Sequence, residues 1–211
     1  MKRYILVLLM LVTSTFASEW VFVQEYEGVK LFKLKEQKDG IIPFKATFDS
    51  TYEQEKFVQL LLDYQMKKDW SPKLKDVKLH KQLNKRSYVF SEYYSTPWPF
   101  YDREFLLTGE IIKNGDVVHF KASQFDDSSY ADDSHVVANV QLLDVALKPI
   151  EKGTHIEFRF IGDMGGVIPS WVSNIIQKKW PVRFIQAMEK TLSMNKQKVS
   201  KEYKDYLEDI K

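Results

Sequence analysis

Four histidines, His80, His119, His135 and His155, are the side chains best suited to proton transfer near neutral pH. None stands four residues from another, and no metal-binding spacing joins them. Glu92 and His119 remain as faint acid–base candidates. Strand parity turns His119 away from the face that Phe120 occupies, which counts against it. There is no G-x-S-x-G elbow, phosphate loop or dinucleotide fingerprint. The chain contains no cysteine, which excludes disulfides, thiol catalysis, cysteine-ligated metals and a lipid anchor on cysteine. The acidic run FDDSSYADDS at 125–134 lacks the glycine and the carboxylate spacing of a calcium loop, so it reads as an exposed loop. No catalytic residue, cofactor or metal is expected. What is left is recognition by apolar surface and by basic residues.

The stretch Gly162–Met194, GDMGGVIPSWVSNIIQKKWPVRFIQAMEKTLSM, concentrates both. Gly165-Gly166 and Pro169-Ser170 mark a turn into a helix. Ile168, Trp171, Val172, Ile175, Ile176, Phe184, Ile185, Met188 and Leu192 recur at helical spacing among Lys178, Lys179, Arg183 and Lys190. Pro181 removes a backbone donor inside the pattern and predicts a kink. Two readings stay open: an amphipathic helix packed on a core, or the lid of a cavity. Helical spacing continues through Val199, Tyr203, Tyr206 and Ile210, but one straight helix to Ile210 would be about 65 Å long. A domain of this size has a radius of gyration of about 16 Å. A break or bend near Ser193–Lys196, or a projecting end, is therefore expected, with 196–211 as a helical extension.

Before that helix the pattern is β-rich. Phe44, Ala46 and Phe48 share one face of a half-buried strand. Ser50 and Glu53 have the spacing of a capping box, and Phe57, Leu60, Leu61 and Tyr64 continue as a helix that ends at Asp69-Trp70-Ser71-Pro72. From Val77 to Ile161 the chain reads as successive strands. Phe120 lies on one inward face, Ala138, Val140 and Leu142 on another, and Ile156, Phe158 and Phe160 on a third. Asn114-Gly115 signals a hairpin, and Glu151-Lys152-Gly153 another. A meandering antiparallel sheet with one apolar face results, and the long helix is the element available to cover it.

Length and composition set the frame: 211 residues suffice for one domain with a sizeable core, and aromatics at 14% favour bulky inward side chains. Lys2-Arg3, the apolar run Tyr4–Val12 and Thr15-Phe16-Ala17 predict a cleaved export signal at residues 1–17, with an uncleaved anchor as the alternative. A periplasmic or secreted, monomeric domain over 18–195 is the expectation. Loss of Lys2 and Arg3 balances the remaining charges, which disfavours nucleic acid. From Gln177 onward nine Lys/Arg face five Asp/Glu, which suits either an anionic membrane surface or a solvated helix face.

Two segments carry a resemblance. Pro97-Trp98-Pro99-Phe100-Tyr101-Asp102-Arg103-Glu104-Phe105 resembles the PWP-x-x-DRDF signature of START domains, the lipid-transfer domains related to the steroidogenic acute regulatory protein. Asp163–Asn174 is similar to that family's D-x-GG-x-IP-x-W-x-x-N, and the order of elements agrees over Trp20–Leu192. The resemblance implies an α+β helix-grip fold: a curved antiparallel sheet around the last helix, with a lipid-sized tunnel between them. Its implied lining is Phe44, Ala46, Phe48, Trp70, Tyr88, Phe90, Phe105, Leu107, Phe120, Ala138, Val140, Phe158, Phe160, Trp171 and Ile175.

Many START domains bury an arginine–carboxylate pair several residues past the signature. Here Phe105-Leu106-Leu107-Thr108-Gly109 has no arginine. Arg103 with Asp102 or Glu92 is the nearest substitute, and a structural ion pair of Asp102 and Arg103 is the expected role. The implied function is lipid binding and transfer. Trp98, Phe100, Lys178, Lys179 and Arg183 are the candidates for transient membrane contact. A polyketide cyclase- or hydrolase-like enzyme in the same cavity, and a protein-binding module, are the alternatives.

Overall fold

The structure, a computed structural model, describes residues 19–36 and 40–194 and, beyond them, Tyr203, Asp205, Tyr206 and Glu208. The export signal read at 1–17 and most of the extension read at 196–211 lie outside the described residues.

Alternating apolar and polar residues joined by short turns produce one antiparallel sheet. β1 (Trp20–Tyr26) and β2 (Val29–Leu34) form a hairpin across Glu27-Gly28, and β3 (Ile42–Ser50) pairs with β2. Two short helices follow, α1 (Gln54–Leu62) and α2 (Tyr64–Trp70). Then come β4 (Leu74–Gln82), β5 (Ser87–Tyr94), β6 (Arg103–Asn114) and β7 (Val117–Gln124), joined in that order by antiparallel pairing of β4 with β5, β5 with β6 and β6 with β7. After the acidic loop, β8 (Val136–Val137) runs parallel to the start of β6. The chain continues as β9 (Asn139–Ile150), β10 (Gly153–Asp163) and α3 (Ser170–Met194). The strand order β1-β2-β3-β10-β9-β7-β6-β5-β4 leaves β1 and β4 as open edges. α3 lies across the inner face, touching β2, β3, α1 and α2. This is the expected α+β helix-grip architecture, an unclosed sheet around a long final helix.

Several local expectations need correction. Ser50 does not cap a helix: β3 runs through it, α1 starts at Gln54, and Glu53 makes no side-chain cap bond. The Ser50 hydroxyl instead donates to Glu189 Oε1 at 2.6 Å, tying the end of β3 to α3. The helical run from Phe57 to Trp70 is two helices, divided at Asp63, whose carboxylate accepts from Met66 N at 3.2 Å. Leu142 does not share a face with Val140. A register shift opposite Ile161/Gly162 inserts Gln141, so that Val140 pairs with Gly162 while Leu143 and Val145 pair with Phe160 and Phe158. Beyond that bulge the inward residues of β9 are the odd-numbered ones. Pro181 stands inside α3 and does not end it.

The turn into α3 explains the glycine pair. Gly165 and Gly166 have φ of 68° and 63°, and a Cβ on Gly165 would lie 2.6 Å from the Val137 carbonyl oxygen. Close approach of this turn to β8 fixes where α3 begins.

Partial burial raises the Glu189 carboxyl pKa, and the Ser50 hydrogen bond only partly offsets this. A carboxyl raised in the folded state is most compatible with folding when neutral, so its contribution falls as pH climbs through that raised pKa. Glu189→Gln keeps an acceptor for Ser50 and removes the charge. Its Tm is expected to exceed that of the parent at neutral pH and to converge with it in acid. A variant less stable at neutral pH would show that the charge itself is favourable there.

Candidate functional site

Strand parity builds the larger of two cavities under α3. Tyr88, Phe90, Glu92 and Tyr94 alternate along β5, Leu107, Gly109 and Ile111 along β6, and Leu143 and Val145 along β9, all facing inward. Leu61, Leu62, Tyr64 and Lys67 close it from α1 and α2, and Trp180 and Phe184 from α3. It encloses about 210 Å³. A Cβ on Gly109 would stand 2.7 Å from a ring carbon of Phe90, so a larger residue there would have to displace that ring.

One polar group is set in this wall. Glu92 is fully buried and forms an ion pair with Lys67 of α2, while Tyr94 donates its hydroxyl to the other Glu92 oxygen at 2.6 Å. Burial, and then the Glu92 charge, push the Tyr94 pKa well up, so the phenol remains a donor. The trio is internally satisfied and close to neutral. It pins α2 over the sheet.

A second cavity of about 120 Å³ lies between the β5–β6 loop and the first half of α3. Phe105, Met164, Ile168, Val172, Ile175 and Ile176 give it apolar walls. Lys73, Arg103, Lys179 and Arg183 also line it. Tyr94 and Trp180 belong to both cavities and form the partition. The Trp180 indole is met by Phe44, Tyr94, Phe105, Phe158 and Phe160 at centroid distances of 5.5–6.1 Å, all near edge-on, and its N–H has no partner among the described residues.

The residues marked as lining from sequence divide accordingly. Tyr88, Phe90, Leu107, Phe120 and Phe158 border the larger cavity, and Phe105 and Ile175 the smaller. Phe44 and Phe160 stack at 5.4 Å within the solid core, where Ala46, Ala138 and Val140 are also buried, and Phe48 packs against that core. These six border neither cavity. Trp70 packs on Phe184 at 5.3 Å, and its indole N–H has no partner among the described residues.

Trp171 is half exposed, with its ring 6.4 Å from Phe100. The stripe that α3 buries runs Val172, Ile176, Trp180, Phe184 at four-residue steps, so Trp171 and Ile175 lie one position behind it on the flank.

Asp102 and Arg103 do not form the expected pair. Adjacent residues entering a strand point to opposite sides. Asp102 takes Lys75 and the Thr96 N–H, whereas Arg103 donates to the carbonyls of Tyr101, Met164 and Gly165. Arg103 thus clamps β6 to the turn before α3. Nor does Arg103 reach Glu92, whose cation is Lys67.

Two outer-face clusters resemble catalytic groups. His80 Nε2 lies 2.7 Å from the Ser91 hydroxyl, which donates to Glu104 at 2.5 Å. Ser91 is wholly buried and its proton is committed to the carboxylate, the reverse of an activated nucleophile. His119 Nδ1 sits 3.1 Å from Asp144, which Arg159 also holds, on the face away from both cavities. Among the described residues no group of three or more His, Asp or Glu side chains is placed to hold a metal.

No family model matches the sequence, nor does any curated protein. Solved structures do. A STAR-related lipid transfer protein from Xanthomonas axonopodis superposes with a TM-score of 0.72 at 20% identity, over 82% of this chain and 98% of that one. The human StAR-related lipid transfer protein 5 superposes with a TM-score of 0.71 at 13% identity, over 86% and 89%. The chain therefore has the START fold, in agreement with the motif resemblance.

Removing one partner of a buried ion pair costs about 3–5 kcal/mol. The Lys67 side chain keeps 15% of its exposure, so Lys67→Met is expected at the low end of that range in urea unfolding. Lys67→Met combined with Glu92→Leu should regain most of the loss. A single variant as stable as the parent would mean that water already solvates Glu92.

Proposed function

We propose that this protein binds a lipid or other hydrophobic small molecule between the sheet and α3 and carries or presents it, in the periplasm if residues 1–17 direct export as read. The observation that carries this reading is the larger cavity. Its wall is apolar apart from a few polar groups, the usual composition of a small-molecule site. At about 210 Å³ it falls below the roughly 300–1,000 Å³ typical of such sites. A long ligand therefore needs the second cavity as well, reached by turning Trp180 or Tyr94 aside. The similar structures named as lipid transfer proteins support the same reading. A cyclase-like reaction has no comparable support, since His119 faces outward and Glu92 is held by Lys67 and Tyr94.

Membrane contact fits the mouth of the second cavity. Trp98, Tyr101 and Val167 are 91%, 75% and 88% exposed, and Trp171 joins them through Phe100. Amphipathic rings beside cations suit the interface of an anionic bilayer. Lys178 is exposed on the flank of α3, outside both cavities.

Mass spectrometry of organic extracts of the purified protein tests the carrier. A defined hydrophobic molecule, near one per chain, is expected. Ala122 borders the larger cavity, so Ala122→Phe should abolish its uptake with little change in Tm. Ala46→Phe, in solid packing, should cost about 1–3 kcal/mol instead. Severe destabilisation by Ala122→Phe with uptake retained would refute the cavity.

Docking has its own readout. Trp98→Ser with Lys178→Glu should slow exchange with anionic vesicles while equilibrium loading stays the same, and salt should slow the parent likewise. Exchange indifferent to all three changes would place docking elsewhere.

A further inference from the structure

The second cavity carries a charge that the fold leaves unanswered. Arg103 is only 3% exposed, and its described partners are three backbone carbonyls. A guanidinium has five N–H donors, so hydrogen-bonding capacity remains. Asp102, its neighbour in sequence, is engaged by Lys75 and the Thr96 N–H and does not line the cavity. Asp163, before the glycine turn, accepts from Gly165 N.

Lys73, Lys179 and Arg183 complete the basic lining, and among the described residues none of them makes an ion pair. Among the described residues no carboxylate lines this cavity. Lys179 and Arg183 stand four residues apart on α3, where like charges repel and an anion between them would relieve the repulsion. Burial lowers the Arg103 pKa, the direction expected of a desolvated cation with too little counter-charge.

Apart from Ser95, Thr96 and Tyr94 the rest of the wall is apolar, which suits an anion carried on hydrocarbon better than a free hydrated ion. Beyond Tyr94 and Trp180 lies the larger cavity, and the Trp180 N–H at the partition has no partner among the described residues.

We propose that the second cavity seats the anionic headgroup, a carboxylate or phosphate monoester, of an amphiphile whose chain enters the larger cavity. Arg103 meets the headgroup from within, and Lys179 and Arg183 meet it from the mouth. The inference rests on the binding function proposed above and adds the class of ligand. It also separates Lys179 and Arg183, which recognise the ligand, from Lys178, which faces away from it.

The test uses the delipidated protein and five probes: dodecyl phosphate, dodecanoate, dodecanol, dodecyltrimethylammonium and inorganic phosphate. Calorimetric titration below the micellar range should show the two anionic amphiphiles binding more than about tenfold tighter than dodecanol or the cationic probe. That preference should shrink with added salt. Inorganic phosphate should neither bind measurably nor displace dodecyl phosphate. Arg103 also clamps the fold, so the decisive variant is Lys179→Glu with Arg183→Glu, in which the ratio of dodecyl phosphate to dodecanol affinity should fall below about twofold.

Equal affinities for all four amphiphiles would overturn the headgroup seat while leaving the cavity reading intact. So would a preference undiminished by the charge reversal. Competition by inorganic phosphate at similar affinity would assign the cations to a free anion and overturn the amphiphile. No binding by any twelve-carbon probe would overturn the cavity reading itself, and this inference with it.

Discussion

Five aromatic rings close edge-on around the indole of Trp180, and this contact joins the two halves of the molecule. Each such pair contributes about 0.5–1.5 kcal/mol beyond the burial of its area. The rings come from β3, β5, β6 and β10, so a single residue of α3 registers the helix against four strands. The same side chain divides the space beneath the helix. A fully packed interface would leave no room for a guest, and an unpartitioned one would leave α3 without a central anchor. The indole N–H has no protein partner among the described residues.

Charge is handled differently on the two sides of Trp180. On the larger side Glu92 is matched by Lys67 and Tyr94, and the wall is nearly neutral. On the smaller side Arg103 is held by carbonyl dipoles, and the further cations at the mouth have no carboxylate among them. The outer face repeats the first solution, with Asp144 between His119 and Arg159. Buried charge is thus compensated wherever the fold alone needs it. The exception lies beside an opening.

Much of this was legible in sequence because β-structure writes its burial with period two. Phe44, Ala46, Phe158 and Phe160 are inward as parity requires, and Glu92 stands out as a carboxylate in the row Tyr88, Phe90, Glu92, Tyr94. What failed was whatever needed a third dimension. The Gln141 bulge reverses parity within β9, and no residue type announces it. Lys67 is one lysine among many until α2 folds over β5. Trp171 and Trp180 look alike along α3, but nine residues of helix turn them to different faces, and only packing decides which is buried. Ser50 satisfied a helix-cap spacing with Glu53 and instead reaches Glu189, far along the chain. Parity shows which residues face inward. It does not show where inward space is empty, so core and cavity lining were indistinguishable.

The central claim is that a guest's chain lies between β9 and α3 on the far side of Trp180. Methyl NMR of the protein loaded with a fatty acid bearing a nitroxide near its terminal carbon tests it most directly. Selective broadening is expected for the Leu107, Leu143 and Val145 methyls, which border the larger cavity, with Ile168 and Ile176 in the smaller one spared. Broadening confined to exposed methyls such as Val167, or spread evenly over the protein, would contradict it.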